Sequence, residues 1–515
     1  MANFYSGQHQ FTISNVEINN YHQWTSDRDP FQLLCKARAI EATEISNVAV
    51  YAPRCSPGSR TKTLDDIMAW VNTPTSPILW ISGIAGAGKT CVMREVVKRC
   101  HDIGLVVWTY FFNFRHPRLQ MEQPFVATLV SQMIDTIPRL RPVVLQAIER
   151  DPDIFNAGIS LDHQMKTLIF PALDLPQFQA DPAAPSKIVI LVDAIDECKE
   201  QRERGHLLRL LHSLTQHHPP LILVLVASRP EPDLRTAYNT PVLKSATTQL
   251  RLEKYDTSGD VRHFLCDQFE GIRNTHPMVL PDDWPSEELL GRVEGYCAGQ
   301  MIVATVLIKF IRNPLRDPVA LLDQVLALDH REPTQEDPFR HLDSLYHLIL
   351  HNPNLDISLT RRVLHTILVF HEHRLTDSPR GITATFLDGL LDLRPGSVAS
   401  LISSLTPVME FVDDKISFRH KSLHDFLLSA GRSAEFHRPK HEVYLDLATC
   451  ITEKMQRWFD TDPSHRTSVG ILAGMWANLF YDAVRHIQVE EIPKSIMSFD
   501  PRVLFCYYFM AQVWE

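Results

Sequence analysis

No stretch of this 515-residue chain is apolar for long enough to cross a bilayer. The longest run, Met301 to Ile311, is eleven residues and contains Lys309. A spanning helix needs about twenty, so no membrane role is expected and the run reads as a buried helix. Positive charge is also in short supply. There are 51 Lys and Arg against 61 Asp and Glu, a net charge of −10. Nucleic-acid backbones are held by clustered basic side chains, so no nucleic-acid partner is expected. The nine cysteines (Cys35, Cys55, Cys91, Cys100, Cys198, Cys266, Cys297, Cys450 and Cys506) are widely spaced and form no C-x-x-C pair. That argues against a disulfide framework or a zinc site and for reduced thiols in the cytoplasm. The opening MANFYSGQHQ lacks the basic stretch and apolar region of a secretory signal. Internal repeats and low-complexity tracts are missing too. What remains is an ordinary composition, 44% hydrophobic and 22% charged, in a chain too long for one core and therefore built of several domains.

Against this plain background one stretch stands out. Residues 78–90 read ILWISGIAGAGKT: an apolar strand running into Gly83-x4-Gly88-Lys89-Thr90, the phosphate-loop pattern. Glycines let the backbone fold around a phosphate with its N–H groups turned inward, and the helix that follows adds its positive end. The cradle is Gly83, Ile84, Ala85, Gly86, Ala87, Gly88, Lys89, Thr90 and Cys91. Lys89 would reach the β- and γ-phosphates and the Thr90 hydroxyl would hold Mg²⁺. Val92, Met93, Val96, Val97 and Cys100 then mark one face of a helix.

A phosphate loop needs metal and water handled from elsewhere. KIVILVDAIDEC, residues 187–198, is an apolar strand ending in carboxylates, the pattern of a buried parallel strand whose C-terminal end faces the ligand. Asp193 is placed to hold Mg²⁺ opposite Thr90. Glu197 would orient or deprotonate the attacking water, with Asp196 supporting the metal. LILVLVASRPEPD, residues 221–233, is a second buried strand ending in Ser228-Arg229-Pro230. An arginine there can sense the γ-phosphate and stabilise its developing charge.

The organisation follows from patterning. Residues 1–48 read as an N-terminal arm with a possible short helix in FQLLCKARAIEA. Residues 49–76 contain an amphipathic helix with Leu64, Ile67, Met68 and Val71 on one face, closed by Thr73–Pro77. Residues 77–252 alternate strand and helix, the mark of a parallel sheet covered on both faces. Strands are expected at Ile78–Ser82, Val106–Phe112, Ile188–Val192, Ile222–Ala227 and Leu250–Leu252, and helices at Phe125–Ile137 and Leu207–Gln216. Pro171–Pro185 reads as a proline-rich surface loop. Residues 253–340 read as helices broken by Pro277, Pro281, Pro285 and Pro314. Within 341–435, two short helices followed by VMEFV, a turn at Asp413-Asp414-Lys415 and Ile416–Phe418 suggest a winged helix. Residues 436–515 are helical again.

GIAGAGKT, VDAIDEC and ASRP, in this order and spacing, resemble the NACHT domain of the STAND class of P-loop NTPases, in the variant abundant in fungi and related to nephrocystin-like proteins. RCSPGSR (54–60), YFFNFRHPR (110–118), PFVATLVSQMI (124–134) and SFRHKSLHDFL (417–427) support the resemblance, which covers roughly residues 45–450. It implies an α/β P-loop NTPase domain with a three-layer α/β/α parallel sheet, in which the sensor strand lies between the phosphate-loop strand and the acidic strand. A helical lid domain, a winged-helix domain and a second, truncated helical domain would follow, with a repeat array normally beyond them. It also implies a role of NOD-like receptor type: a signalling switch closed with ADP, open and oligomeric with ATP, working through protein partners. In that scheme His420 matches the winged-helix histidine that contacts the β-phosphate of ADP. Met301 departs from the pattern, standing where NB-ARC relatives have a proline against the adenine.

The alternatives are a turnover ATPase of AAA-like type and a scaffold stabilised by nucleotide. Intact Lys89, Thr90, Asp193 and Glu197 count against the scaffold, and His420 against a machine that must release product quickly. The absence of an N-K-x-D motif favours ATP over GTP. His365, His371 and His373 have neither HExxH spacing nor cysteine partners and read as a solvated turn rather than a metal site. The helix in SVASLISSLTP carries no Lys or Arg, so the winged helix is not expected to bind DNA.

Overall fold

The computed structural model describes residues 29–46, 58–182, 184–216, 221–328, 337–373 and 382–461, with positions 476, 479–481, 493 and 496 beyond them. It divides into two compact units, Met1–Thr257 and Ser258–Glu515. Expectations for residues 1–28, and most of those for 462–515, fall outside the described residues.

The first unit is built on five parallel strands in the order β2-β3-β4-β1-β5: β1 (Ile78–Ser82), β2 (Val106–Phe111), β3 (Lys187–Asp193), β4 (Leu221–Ser228) and β5 (Thr247–Arg251). The sensor strand β4 lies between β1 and the acidic strand β3, as the resemblance implied. Alternation along each strand makes the three layers. Trp80, Trp108, Tyr110, Ile190 and Val224 face one core; Leu79, Ile81, Val107, Leu191 and Leu225 face the other. Successive side chains of a strand point to opposite faces, so continuous apolar runs are what a sheet covered on both sides requires. The principal helices are α1 (Pro30–Ala37), α2 (Thr61–Asn72), α3 (Lys89–Asp102), α4 (Pro124–Thr136) and α5 (Gln201–Leu214). In α2, Leu64, Ile67, Trp70 and Val71 are buried, whereas Met68 is only half-buried.

Three expectations need correcting. The N-terminal stretch contributes to the core rather than standing off as an arm: Leu34, Ala39 and Ala42 are buried in it, and the Ala39 amide donates to Thr128 Oγ1 at 2.9 Å. The stretch Pro171–Pro185 contains short helices, Phe170–Leu173 and Pro176–Gln179, because proline at the first helical turn starts a helix as readily as it ends one. The fifth strand runs over Thr247–Arg251, with Leu252 already in a 3₁₀ turn.

Strand β2 is an edge of the sheet, yet at Thr109 its outer side is closed. The Gln132 side chain of α4 accepts from Thr109 N at 2.8 Å and donates to Thr109 O at 2.9 Å, as a neighbouring strand would.

The second unit is helical: α6 (Ser258–Thr275), α7 (Glu287–Cys297), α8 (Met301–Ile311), α9 (Pro318–Leu326), α10 (Arg340–Leu350) and α11 (Ile357–His373). The apolar run at 301–311 is α8, with eight of its eleven residues buried. No helix among the described residues is long and apolar enough to cross a membrane. Next come α12 (Ala384–Leu390), α13 (Ser397–Ser404) and the hairpin β6 (Met409–Val412) and β7 (Lys415–Phe418), then α14 (Lys421–Leu428) and α15 (Lys440–Thr461). The helix, helix, hairpin order is thus present, and Thr383 bridges Lys415 to extend the hairpin. His365, His371 and His373 lie on α11, not in a solvated turn. His365 is buried and its Nε2 meets the Phe436 carbonyl at 2.8 Å; burial pushes its pKa down to about 4.

Candidate nucleotide site

Strand β1 ends at Ser82, and the chain turns through Gly83–Gly88 into α3. Gly86 and Gly88 have φ of 75° and 80°, the left-handed region that glycine enters without strain. Gly83 is needed for a different reason. A Cβ there would lie 3.1 Å from Ala87 Cβ and 3.4 Å from Leu252 Cβ, so a side chain would crowd Ala87 and require it to shift by a few tenths of an ångström. Its amide donates to Ser228 O at 3.3 Å, fastening the loop to the end of β4. Helix α3 has no side-chain cap, which leaves its first amides directed at whatever anion the loop holds.

Lys89 folds back over the loop: its Nζ donates to Gly83 O at 2.7 Å and Ile84 O at 2.9 Å. Burial lowers its pKa, while Asp196 works in the opposite direction. At the end of β3, Asp193 is 2% exposed. Burial pushes it up to about 7, against a hydrogen bond with the Thr90 hydroxyl that favours ionisation. Among the described residues its Oδ1 has no hydrogen-bond partner. A buried carboxylate oxygen without a donor is costly, and a Mg²⁺ ion, which takes hard oxygen ligands, would satisfy it together with the adjacent Thr90 oxygen. The residues present therefore fit the metal the motif implies.

The turn after β3 begins at Ala194, at φ 56°, which swings the next two carboxylates apart. Asp196 receives Arg229: the backbone amide donates to Oδ1 at 3.1 Å and Nε lies 3.5 Å from Oδ2. Glu197 turns toward the end of β2, where Oε2 accepts from the Phe114 amide at 2.9 Å. The first unit thus gathers Gly83–Cys91, Asp193, Asp196, Glu197 and Arg229 at the C-terminal edge of β1, β3 and β4. His420 belongs to the second unit, at the N-cap position of α14.

Three contacts escaped the sequence. Arg60, at φ 57°, donates to Ala87 O at 2.6 Å. Glu253, after β5, accepts from the Ile84 amide at 2.8 Å. Phe114 fixes Glu197 through its backbone. The first two join positions 27 and 169 residues apart, and the third involves an amide that every non-proline residue has, so no local signal pointed to them.

Residues 59–229 match the family model described as Nephrocystin 3, N-terminal. Among solved structures, the chain is similar to a Signal Transduction ATPase with Numerous Domains carrying a tetratricopeptide repeat sensor, from Pyrococcus horikoshii. That match has 14% identity and a TM-score of 0.40, covering 88% of this chain and 53% of that one; the chain thus spans about half the length of that relative. A Walker-type ATPase of Pyrococcus abyssi matches at 11% identity and TM-score 0.34, over 72% and 96% of the two chains. The Aeropyrum pernix Orc1 protein, solved in complex with DNA, matches at 16% and 0.31, over 70% and 88%. No curated protein matches. Structural scores this low carry no argument. The strand order and the motifs at their strand ends describe a P-loop NTPase-like first unit, and residues 59–229 of it are similar to the Nephrocystin 3 N-terminal family.

Proposed function

We propose that the first unit binds ATP and ADP with Mg²⁺ and that the chain works as a cytoplasmic signalling switch of NOD-like receptor type. The ADP form is closed; the ATP form is open, self-associating and able to engage protein partners. The reading rests chiefly on one observation: Lys89, Thr90 and the unsatisfied Asp193 Oδ1 converge beside a loop with uncapped amides. Lys89 and the α3 amides would hold the phosphates, and Thr90 and Asp193 the metal, which neutralises phosphate charge. Arg229, held on Asp196, would answer the γ-phosphate. Glu197 would orient the water, but its carboxylate is tethered to Phe114. A tethered base suits slow hydrolysis that resets a switch rather than fast turnover. Nucleotide acts by its differential affinity for two states of the chain. By the resemblance, His420 of the helix–helix–hairpin region, read as a winged helix, holds the ADP form shut.

The test is to purify the chain without added nucleotide, denature it and identify what is released. Near-stoichiometric ADP from the wild type and none from Lys89→Ala supports the switch. An empty site with rapid ATP turnover favours an AAA-like ATPase instead. No binding by either protein refutes the reading.

A further inference from the structure

The carbonyl of Gly83 and the amide of Ile84 belong to one peptide group. Lys89 Nζ donates to its oxygen at 2.7 Å, and Glu253 Oε1 accepts from its N–H at 2.8 Å. A cation and an anion thus sit at opposite ends of a single peptide dipole. Each polarises the group in the sense that strengthens the other bond. The Ile84 carbonyl also receives Lys89, at 2.9 Å, so the ammonium is committed to this corner of the loop.

Glu253 lies in a short strap. Leu252 is buried and packs against Gly83, its Cβ 3.4 Å from where a Cβ on that glycine would stand. The Tyr255 amide donates to Leu252 O at 3.1 Å, closing a 3₁₀ turn, and the Tyr255 hydroxyl donates to Asp66 Oδ2 of α2 at 2.7 Å. Three residues after Tyr255, Ser258 opens α6 and with it the second unit.

We propose that the Gly83–Ile84 peptide is a relay between Lys89 and the strap Leu252–Tyr255, and that Glu253 is the positioning residue at its far end. The inference rests on the nucleotide reading only in taking a phosphate as the ligand that draws Lys89 away. When it does, the Gly83 carbonyl loses its charged donor and the Ile84 amide becomes a weaker one. Glu253, which is exposed, then exchanges the amide for water at little cost. The strap loosens just where the chain leaves for the second unit. Occupancy of the loop is thereby reported along the backbone, through one peptide group.

Hydrogen–deuterium exchange on the full chain tests this at the Tyr255 amide. Saturating Mg·ADP should speed its exchange about fivefold, the order expected for losing the net contribution of one ordinary hydrogen bond. Lys89→Met should produce the same acceleration without nucleotide. Glu253→Ala should exchange fast whether or not ADP is present. Glu253→Gln, which keeps an acceptor oxygen, should retain a protected strap that still responds. Because Glu253 is exposed, its two variants keep the test sound even if Lys89→Met fails to fold. The proposal is overturned if ADP binds by equilibrium dialysis yet leaves Tyr255 unchanged, if folded Lys89→Met keeps a protected strap, or if Glu253→Ala still responds. If the wild type binds no ADP, the nucleotide reading falls, and the variants compared without nucleotide still decide the relay.

Discussion

Replacing Asp193 by asparagine should stabilise the nucleotide-free protein while removing its ability to hold Mg·nucleotide. The wild-type carboxyl is buried at the end of β3, with one oxygen lacking a donor. Its pKa rises from the ordinary 3.8 to about 7, chiefly through burial. The folded state therefore binds this proton more tightly than the unfolded chain does. Between pH 4 and pH 7 the folded protein carries the proton and the unfolded one does not, so stability falls as pH rises across that interval. At about 1.4 kcal/mol per pH unit, the ionised carboxylate costs at most roughly 4 kcal/mol above pH 7. For a unit of this size, one kcal/mol moves Tm by about 2–4 °C. Thermal unfolding followed by tryptophan fluorescence at pH 8 should then show Asp193→Asn melting higher than wild type, by up to roughly 8–16 °C. At pH 4 the gap should close. Saturating Mg·ADP should reverse the order at pH 8, because the metal neutralises the wild-type carboxylate and finds no charge in the variant. Equal melting temperatures at pH 8, or an advantage that grows on acidification, would refute the reasoning.

Glu197→Gln should keep nucleotide affinity and slow hydrolysis at least tenfold, a barrier change of about 1.4 kcal/mol; a phosphate-release assay giving wild-type turnover would remove Glu197 from its role. Gly83→Val brings its Cβ to 3.1 Å from Ala87 Cβ with two further methyl groups to place beside Leu252, and should cost about 1–3 kcal/mol, read as a lower denaturation midpoint. His420→Ala should speed ADP dissociation and promote self-association; unchanged fluorescent-ADP release and an unchanged sedimentation profile would rule out the histidine latch.

The sheet was legible wherever burial on both faces imposed an unbroken apolar run. Strand β1 falls at Ile78–Ser82, as read, because its five residues are apolar or small and are bounded by Pro77 and Gly83. Strand β5 was set too late because Thr247, Thr248 and Gln249 carry no apolar run; an edge strand half open to solvent does not need one. Placement of α1 in the core was hidden for another reason. One buried leucine in an eight-residue helix is too little periodicity to distinguish docking from an arm. The charged and glycine residues that the fold gathers at one end of the sheet were readable from spacing as candidates. Those that act through backbone amides, such as Phe114 on Glu197, were not, since an amide has no sequence signature. Glu253 looked like one acid among many until the fold brought it to Ile84.

The Gln132 side chain gives β2 a last neighbour that is not a strand. Its amide occupies the one donor and one acceptor that Thr109 turns outward, and a side chain, unlike a strand, offers no further edge beyond itself. Growth of the sheet stops there by saturation, without needing charge or bulk to repel an incoming chain. If copies of this protein met at this point, the contact would be made by side chains rather than by backbone pairing to Thr109. At Thr109 the open-ended stacking of backbone that leads to fibres finds its donor and acceptor already taken by a glutamine.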